Sequence, residues 1–158
     1  MPTEHNVILA WRSLHLAESA VSRMLDKPLA RKAGCSLLEH DVLAWLKAAP
    51  QRRRQMLDLA DLLGVTRGGL TRIVDRLVAR GWVERERPAS NRREVYAVLT
   101  TEGRHAIERA RVSYVSLLTE TLGTHLDTEE VDQLTRITDK LRNALPDRDP
   151  HCQPALRR

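Results

Sequence analysis

The chain has no phenylalanine, and its aromatic residues, three Trp and two Tyr, make up 3% of 158 residues. That scarcity leaves no row of stacking platforms and argues against a reader of single-stranded nucleic acid. Its two cysteines, Cys35 and Cys152, are too few and too far apart for a disulfide scaffold. No apolar run approaches the roughly 20 residues a membrane helix needs. The N-terminal stretch also lacks the apolar segment of a signal peptide. The expected setting is therefore a reducing cytoplasm, with no membrane partner. There is no glycine-rich phosphate loop, no metal-ligand spacing among the six His and no nucleophile–base set. Neither an enzyme nor a metal or cofactor is expected. Internal repeats and low-complexity blocks are missing as well.

Lysine is absent from the stretch that matters most. Between Arg52 and Arg93 stand eleven Arg and no Lys, against five acids, Asp58, Asp61, Asp75, Glu84 and Glu86. The stretch thus carries six net positive charges, whereas the whole chain carries +5, so the remainder is close to neutral. The excess is concentrated in one part of a chain long enough for one domain with a modest core.

Hydrophobic periodicity supplies the elements. Val7, Trp11, Leu14, Ala17, Val21, Met24 and Leu25 mark a long helix from about residue 6, with a kink or break expected at Pro28. Ser36 and Glu39 form a capping box that opens a second helix to about residue 47, with Leu38, Val42, Trp45 and Leu46 as candidate core. Pro50 and the arginines after it read as a connection. A short helix over about 55–63, with Met56, Leu59, Ala60 and Leu63 on one face, is followed by Gly64 at its C-terminal turn. Thr66 is a good N-cap for the next helix, which runs to about residue 80 and stops at Gly81. Two short helices around a glycine turn make a helix-turn-helix.

After Gly81 the period changes from 3.6 to 2. Val83, Arg85 and Arg87 alternate with their neighbours, as do Val95, Ala97 and Leu99, and Pro88-Ala89-Ser90-Asn91 between them is turn chemistry. A β-hairpin with an Arg-rich tip follows. Thr100 caps a helix whose apolar line is Ile107, Ala110, Tyr114, Leu117, Leu118, Thr121 and Leu122. Asp127 and Glu130 make a second capping box, and Val131, Leu134, Ile137, Leu141 and Leu145 line the last helix up to Pro146.

The expected fold is mainly α with a small β-hairpin wing, a winged helix-turn-helix over residues 35–100. Residues 1–34 and 101–146 supply the helices of a dimerisation region, and 147–158 form a disordered tail. The terminal helices are amphipathic and longer than the small central module can cover, so their stripes need burial elsewhere. Pairing with a second copy buries them and sets two recognition helices about one DNA turn apart. A localised basic stripe on a helix-turn-helix with a hairpin is the electrostatic footprint of a duplex-DNA reader. The rival reading is a winged-helix module that docks protein or RNA without operator specificity, although RNA recognition favours exposed aromatics, which are scarce here.

Over residues 36–110 the sequence resembles the MarR family of winged-helix repressors. The residues that carry the resemblance are Leu59-Ala60, Thr66, Gly69, Leu70-Thr71-Arg72, Val74-Asp75-Arg76-Leu77, Gly81-Trp82-Val83-Glu84-Arg85, and Asn91-Arg92-Arg93 leading to Val98-Leu99-Thr100 and Gly103. The resemblance implies a homodimer on a pseudo-palindromic operator in double-stranded DNA, with the recognition helix in the major groove and a wing Arg in the minor groove. It also implies release from DNA by a small aromatic or anionic effector, as in many members.

On this basis the DNA-contacting set is Thr66, Arg67, Gly68, Gly69, Thr71, Arg72 and Arg76 of the recognition helix, with Asn91, Arg92 and Arg93 of the wing. Arg67 and Gly68, in the exposed first turn, are the foremost candidates for reading bases, because a guanidinium pairs bidentately with guanine. Arg76 has the alternative of pairing with Asp75 or a neighbouring helix. Arg52, Arg53 and Arg54 stand equally as phosphate contacts or as a solvated loop.

Two departures from the family pattern bear on this set. The family's wing usually reads Asp-x-Arg, the Asp aiming the Arg, whereas this chain has Asn91, which supplies no charge to Arg93. Replacing Asn91 by aspartate is expected to tighten DNA binding if the Arg is loosely aimed; no gain means that Asn91 already orients it. Gly68 beside Gly69 in the first turn costs up to about 2 kcal/mol of helix propensity relative to Ala, and permits close approach to phosphates or simply forfeits a contact.

For the effector, family members that bind urate use a Trp, an Asp and two Arg; the Asp and Arg positions align with Asp41, Arg72 and Arg85, and Trp11 is a candidate for the Trp, although it stands much closer to Asp41 in sequence than that pattern has it. A pocket of Trp11, Arg12, His15 and His40 around an aromatic carboxylate is a second arrangement. The third reading puts Trp11 and Trp45 in the core and Arg12 and His15 on the dimer surface. Cys35, with Arg31 and Lys32 nearby, is read as a buried thiol, a redox sensor being the alternative.

Overall fold

The computed structural model describes residues 1–89, 91 and 93–144. It contains α1 (Glu4–Ala33), α2 (Leu37–Ala48), β1 (Arg53–Gln55), α3 (Met56–Leu62), α4 (Arg67–Ala79), β2 (Val83–Glu86), β3 (Tyr96–Leu99), α5 (Thr101–Leu122) and α6 (Thr128–Ala144). The helix starts follow from local capping. Ser36 Oγ accepts from Glu39 N at 3.2 Å while Glu39 Oε2 accepts from Ser36 N at 3.0 Å. Asp127 and Glu130 repeat this reciprocal pairing at 2.9 Å each way. Thr66 and Thr100 each accept from the amide three residues on.

α1 runs through Pro28 without the expected break. Proline removes the donor to the Met24 carbonyl, but Met24 is 64% exposed, so water can take that carbonyl. Leu25 and Leu29 on either side of the proline are buried against Leu117 of α5, packing that favours continuation of the helix. Gly34 then closes α1 at φ 71, a left-handed cap that favours glycine.

The winged unit has its own core, formed by Val42, Leu43 and Leu46 of α2, Leu59 of α3, Leu70, Val74 and Leu77 of α4, Val83, Ala97 and Leu99 of the sheet, and Ile107 of α5. Leu38, expected in the core, is 40% exposed. α2 turns Glu39, His40, Val42, Leu43 and Leu46 inward instead. It packs against both α4 and α5, so its buried face is broader than one apolar stripe.

The sheet has three strands rather than two, antiparallel in the order β1-β3-β2. β1 is built from the arginine run that reads as a connection. After a 3-10 turn at Pro50, Gln51 and Arg52 adopt φ 53 and 55, which reverses the chain onto the free edge of β3. Gly103, in the first turn of α5, lies so close to the chain leaving α4 that a Cβ would stand 2.0 Å from the Trp82 carbonyl oxygen. Only glycine lets α5 leave the hairpin there. The tail expected after Pro146, and Leu145 before it, lie outside the described residues.

Candidate nucleic-acid interface

The helix-turn-helix is α3, a turn at Gly64 (φ 62) and α4. Thr66, the N-cap of α4, accepts from Gly69 N at 3.1 Å. A Cβ at 69 would stand 3.1 Å from the Thr66 hydroxyl, so glycine keeps the cap uncrowded. A Cβ at 68 would meet nothing within 4 Å, so packing does not demand glycine there, and the backbone of this turn stays bare to an approaching molecule. Arg67, Thr71 and Arg72 are exposed on the first two turns.

The arginines of the basic stretch divide into two sets. Five are committed inside the protein. Arg53 pairs with Glu86 at 2.9 Å and lies 4.3 Å from the Tyr96 ring centroid. Arg54 is 5% exposed, with its guanidinium over Trp45. Arg76 donates to Glu39 at 2.7 Å, Arg80 to the Gly34 carbonyl at 2.6 Å, and Arg85 to Asp75 at 2.6 Å and the Thr71 carbonyl at 3.3 Å. Among the described residues the side chains of Arg52, Arg67, Arg72, Arg87 and Arg93 have no such partner and face solvent. Arg92 lies outside the described residues.

The open arginines of helix and wing converge. Arg67 and Arg93 both line a concavity of about 240 Å³ between α3, the start of α4 and the hairpin loop just before β3, floored by Met56, Leu70 and Val95. The Met56 amide donates to the Val95 carbonyl at 2.8 Å, which ties the hairpin to the first helix of the helix-turn-helix.

Asn91 does not hold the Arg93 guanidinium. Its Oδ1 accepts from the Arg93 backbone N at 3.1 Å and its Nδ2 donates to Glu94 Oε1 at 2.8 Å. Glu94 Oε2 accepts in turn from the Tyr96 hydroxyl at 3.0 Å, a bond that raises the Tyr96 pKa above its ordinary value. Nothing in the sequence near Glu94 or Tyr96 signals this link, because it depends on how the turn closes. Nor does the capping box reveal that Glu39 also binds Arg76 of α4, 37 residues away.

The residues offered for an effector stay in separate groups within one chain. Trp11 is 66% exposed and stacks on His15, with centroids 6.1 Å apart. About 21 Å of helix separates it from Leu25, the first buried residue of α1, and Arg12 is exposed beside it. His40 is buried, stacks on Tyr114 at 4.0 Å and meets Asp41 Oδ1 at 3.1 Å. Burial, with Asp41 adding to it, pushes the Tyr114 phenol up. Arg72 and Arg85 lie on α4 and β2.

Cys35 is 2% exposed, and burial raises its thiol pKa to about 11, with Glu39 adding to the rise and Arg80 opposing it. At neutral pH it is a protonated core thiol. The described residues hold no cluster of three or more His, Cys, Asp or Glu able to bind a metal, and no helix among them is long and apolar enough to cross a membrane.

A helix-turn-helix flanked by a three-stranded wing, with unpaired arginines on the second helix and the wing, defines the winged-helix class. The MarR family profile matches residues 33–94. A MarR family transcriptional regulator from Streptomyces coelicolor, Sco3205, solved in complex with DNA, is 30% identical, with 92% of this chain and 91% of that one covered at a TM-score of 0.74. A mutant of Escherichia coli MarR complexed with operator DNA is 28% identical, with coverage of 92% and 100% and a TM-score of 0.70. The transcriptional repressor MprA of Escherichia coli K12 is 34% identical over 103 residues, which span 65% of this chain but only 58% of that protein. The chain belongs to the MarR family of transcriptional regulators.

Proposed function

We propose that the protein is a homodimeric transcriptional regulator, a repressor, that binds a pseudo-palindromic operator in duplex DNA and leaves it when a small aromatic or anionic ligand binds. The observation that carries this reading is the division of the arginines. Those on the sheet and the later turns of α4 are spent on internal pairs, whereas Arg67, Arg72 and Arg93 are open along the helix start and wing. A charged face that served only solubility would not sort its arginines in this way. Arg67 and Arg72 serve the major groove with Thr71, and Arg93 serves the minor groove or the backbone beside it. The DNA complexes of Sco3205 and of the MarR mutant support duplex-DNA binding as such.

The second copy is supported by uncovered apolar surface. Val7, Ile8, Trp11 and Leu14 of α1 are 37–66% exposed, and Val131, Leu134, Ile137 and Leu141 of α6 are 39–59% exposed. Within a single chain Trp11 and His15 cannot join His40 and Asp41, so an effector pocket drawing on both groups needs the partner's α1.

Selection from a random-sequence duplex pool tests the reading. The wild-type protein should enrich a two-fold-related motif and hold it at salt where random duplex no longer competes. Equal affinity for every duplex would instead favour a module that docks protein or RNA.

A further inference from the structure

Asn91, Glu94, Tyr96, Arg53 and Glu86 form one unbroken chain of contacts from the tip of the hairpin to its far strand. Asn91 Nδ2 donates to Glu94 Oε1 at 2.8 Å, and Tyr96 donates to Glu94 Oε2 at 3.0 Å. The Tyr96 ring lies under the Arg53 guanidinium, and Arg53 pairs with Glu86 at 2.9 Å. Tyr96 faces Gln55 of β1 and Glu86 of β2 in register, so these contacts cross all three strands on one face of the sheet. At the tip, the Glu94 amide donates to the Asn91 carbonyl at 3.1 Å, and the Arg93 amide to Asn91 Oδ1 at 3.1 Å.

We infer that Glu94 is the positioning residue of this wing: its carboxylate, gripped by Asn91 on one oxygen and Tyr96 on the other, fixes the turn that points Arg93 into the concavity it shares with Arg67. The inference rests on the DNA-binding reading for its consequence, not for its geometry. The wing Arg is aimed through its backbone, by a turn that cannot swing while Glu94 is held at both ends. Asparagine is required here because it must accept from the Arg93 amide and donate to Glu94 at once, and a carboxylate can only accept. An aspartate in its place faces the Glu94 carboxylate with no hydrogen between them, and like charges at that distance push the turn open. Of the two outcomes the sequence left open for aspartate in place of Asn91, this takes the one in which Asn91 already orients the wing, and extends it from no gain to weaker binding.

The link can be rebuilt with its direction reversed. In Asn91→Asp combined with Glu94→Gln, the new glutamine amide donates to the new carboxylate and its oxygen still accepts from Tyr96, with net charge unchanged. The test measures affinity of wild type, Asn91→Asp and the double variant for the duplex that wild type selects from a random pool, together with amide hydrogen exchange at Arg93 and position 94 in the free proteins. Asn91→Asp should bind about tenfold more weakly, the size of one charge-assisted hydrogen bond, and exchange faster at both amides. The double variant should return to within about twofold of wild type in both measurements. Wild-type or tighter binding by Asn91→Asp overturns the inference, as does a double variant no better than the single one. If wild type selects no duplex, the functional reading falls, and the exchange rates alone decide: fast in Asn91→Asp and restored in the double variant upholds the brace, and equal rates in all three proteins refute it.

Discussion

Arg76 of the recognition helix donates its Nε to Glu39 Oε1 at 2.7 Å, and the Glu39 side chain is 3% exposed while that of Arg76 is 52% exposed. The carboxylate is the buried member. Its other oxygen accepts from the Ser36 amide at 3.0 Å and lies 3.5 Å from Arg80, whose guanidinium also reaches the Gly34 carbonyl. The joint between α1 and α2 is thereby fastened to the middle and end of the helix that presents Arg67 and Arg72. Arg76, counted among the DNA contacts from the sequence, is engaged by Glu39, the pairing with a neighbouring helix that the sequence also allowed.

Glu39→Gln should therefore loosen the fold and the DNA reader together. Hydrogen bonds to charged groups contribute about 1.5–3 kcal/mol each, and the half-exposed Arg76 brings the expected loss toward the low end, about 1–2 kcal/mol. Urea unfolding should show a lower midpoint at unchanged slope. Arg76→Ala should show a comparable loss of stability, and an unaltered midpoint would return Arg76 to the list of direct DNA contacts.

Arg67→Ala and Arg93→Ala should separate from that pair and from each other. Among the described residues neither side chain has an internal partner, so both variants should keep wild-type stability to within about 0.5 kcal/mol. Arg67→Ala should relax preference at one base pair of the selected duplex, by about 1–3 kcal/mol. Arg93→Ala should weaken binding to all sequences alike and lower the salt slope by about one. If the two variants altered base preference alike, the division between helix and wing would be wrong.

What the sequence made legible was what neighbouring residues decide. Ser36 with Glu39, Asp127 with Glu130, and the caps at Thr66 and Thr100 act within one turn, and all stand where residue type and spacing put them. The alternation around Ala97 and Leu99 likewise reports a sheet face directly, whereas in β2 only Val83 is buried and the residues after it are exposed. What stayed hidden depends on distant partners. β1 is Arg-Arg-Gln, with no apolar signal, and is a strand because β3 has a free edge beside it. Leu38 and Leu43 are both apolar on the same helix, and only the positions of α4 and α5 bury the second and leave the first in water. For the same reason the roles of eleven arginines could be counted from the sequence but not divided between ion pairs and open surface.

Cys35 should be inert toward alkylation in the native state. Its pKa of about 11 leaves almost no thiolate at pH 7.5. Burial holds on to a proton that the unfolded chain releases near 9, so the folded state binds more protons between the two values. The stability tied to this thiol is thus complete below about pH 9 and is lost as pH rises through about 11. Iodoacetamide labelling of the Cys35 peptide, followed by mass spectrometry, should be negligible at about pH 7.5 and appear at that pH only with denaturant. Rapid native labelling under the same conditions would reopen the redox-sensor reading.

The sharpest test of a paired molecule is α6. Among the described residues its apolar line of Val131, Leu134, Ile137 and Leu141 stays 39–59% exposed, although the helix is capped by the reciprocal Asp127–Glu130 pair. An amphipathic helix so placed gains nothing from folding alone, since most helical stability comes from packing one face. If α6 packs on a second copy, Ile137→Asp places an unpaired carboxylate in that interface. Sedimentation should then show a dimer for wild type and a shift to monomer for the variant at micromolar concentration. The winged core around Leu43 and Leu77 lies elsewhere in the chain and should stay folded. Affinity for the selected two-fold duplex should fall at least about tenfold, because two half-sites are no longer held by one particle, while affinity for an isolated half-site should be unchanged. A wild-type protein that sediments as a monomer, or a variant that remains dimeric and binds the full site as before, would remove α6 from the interface.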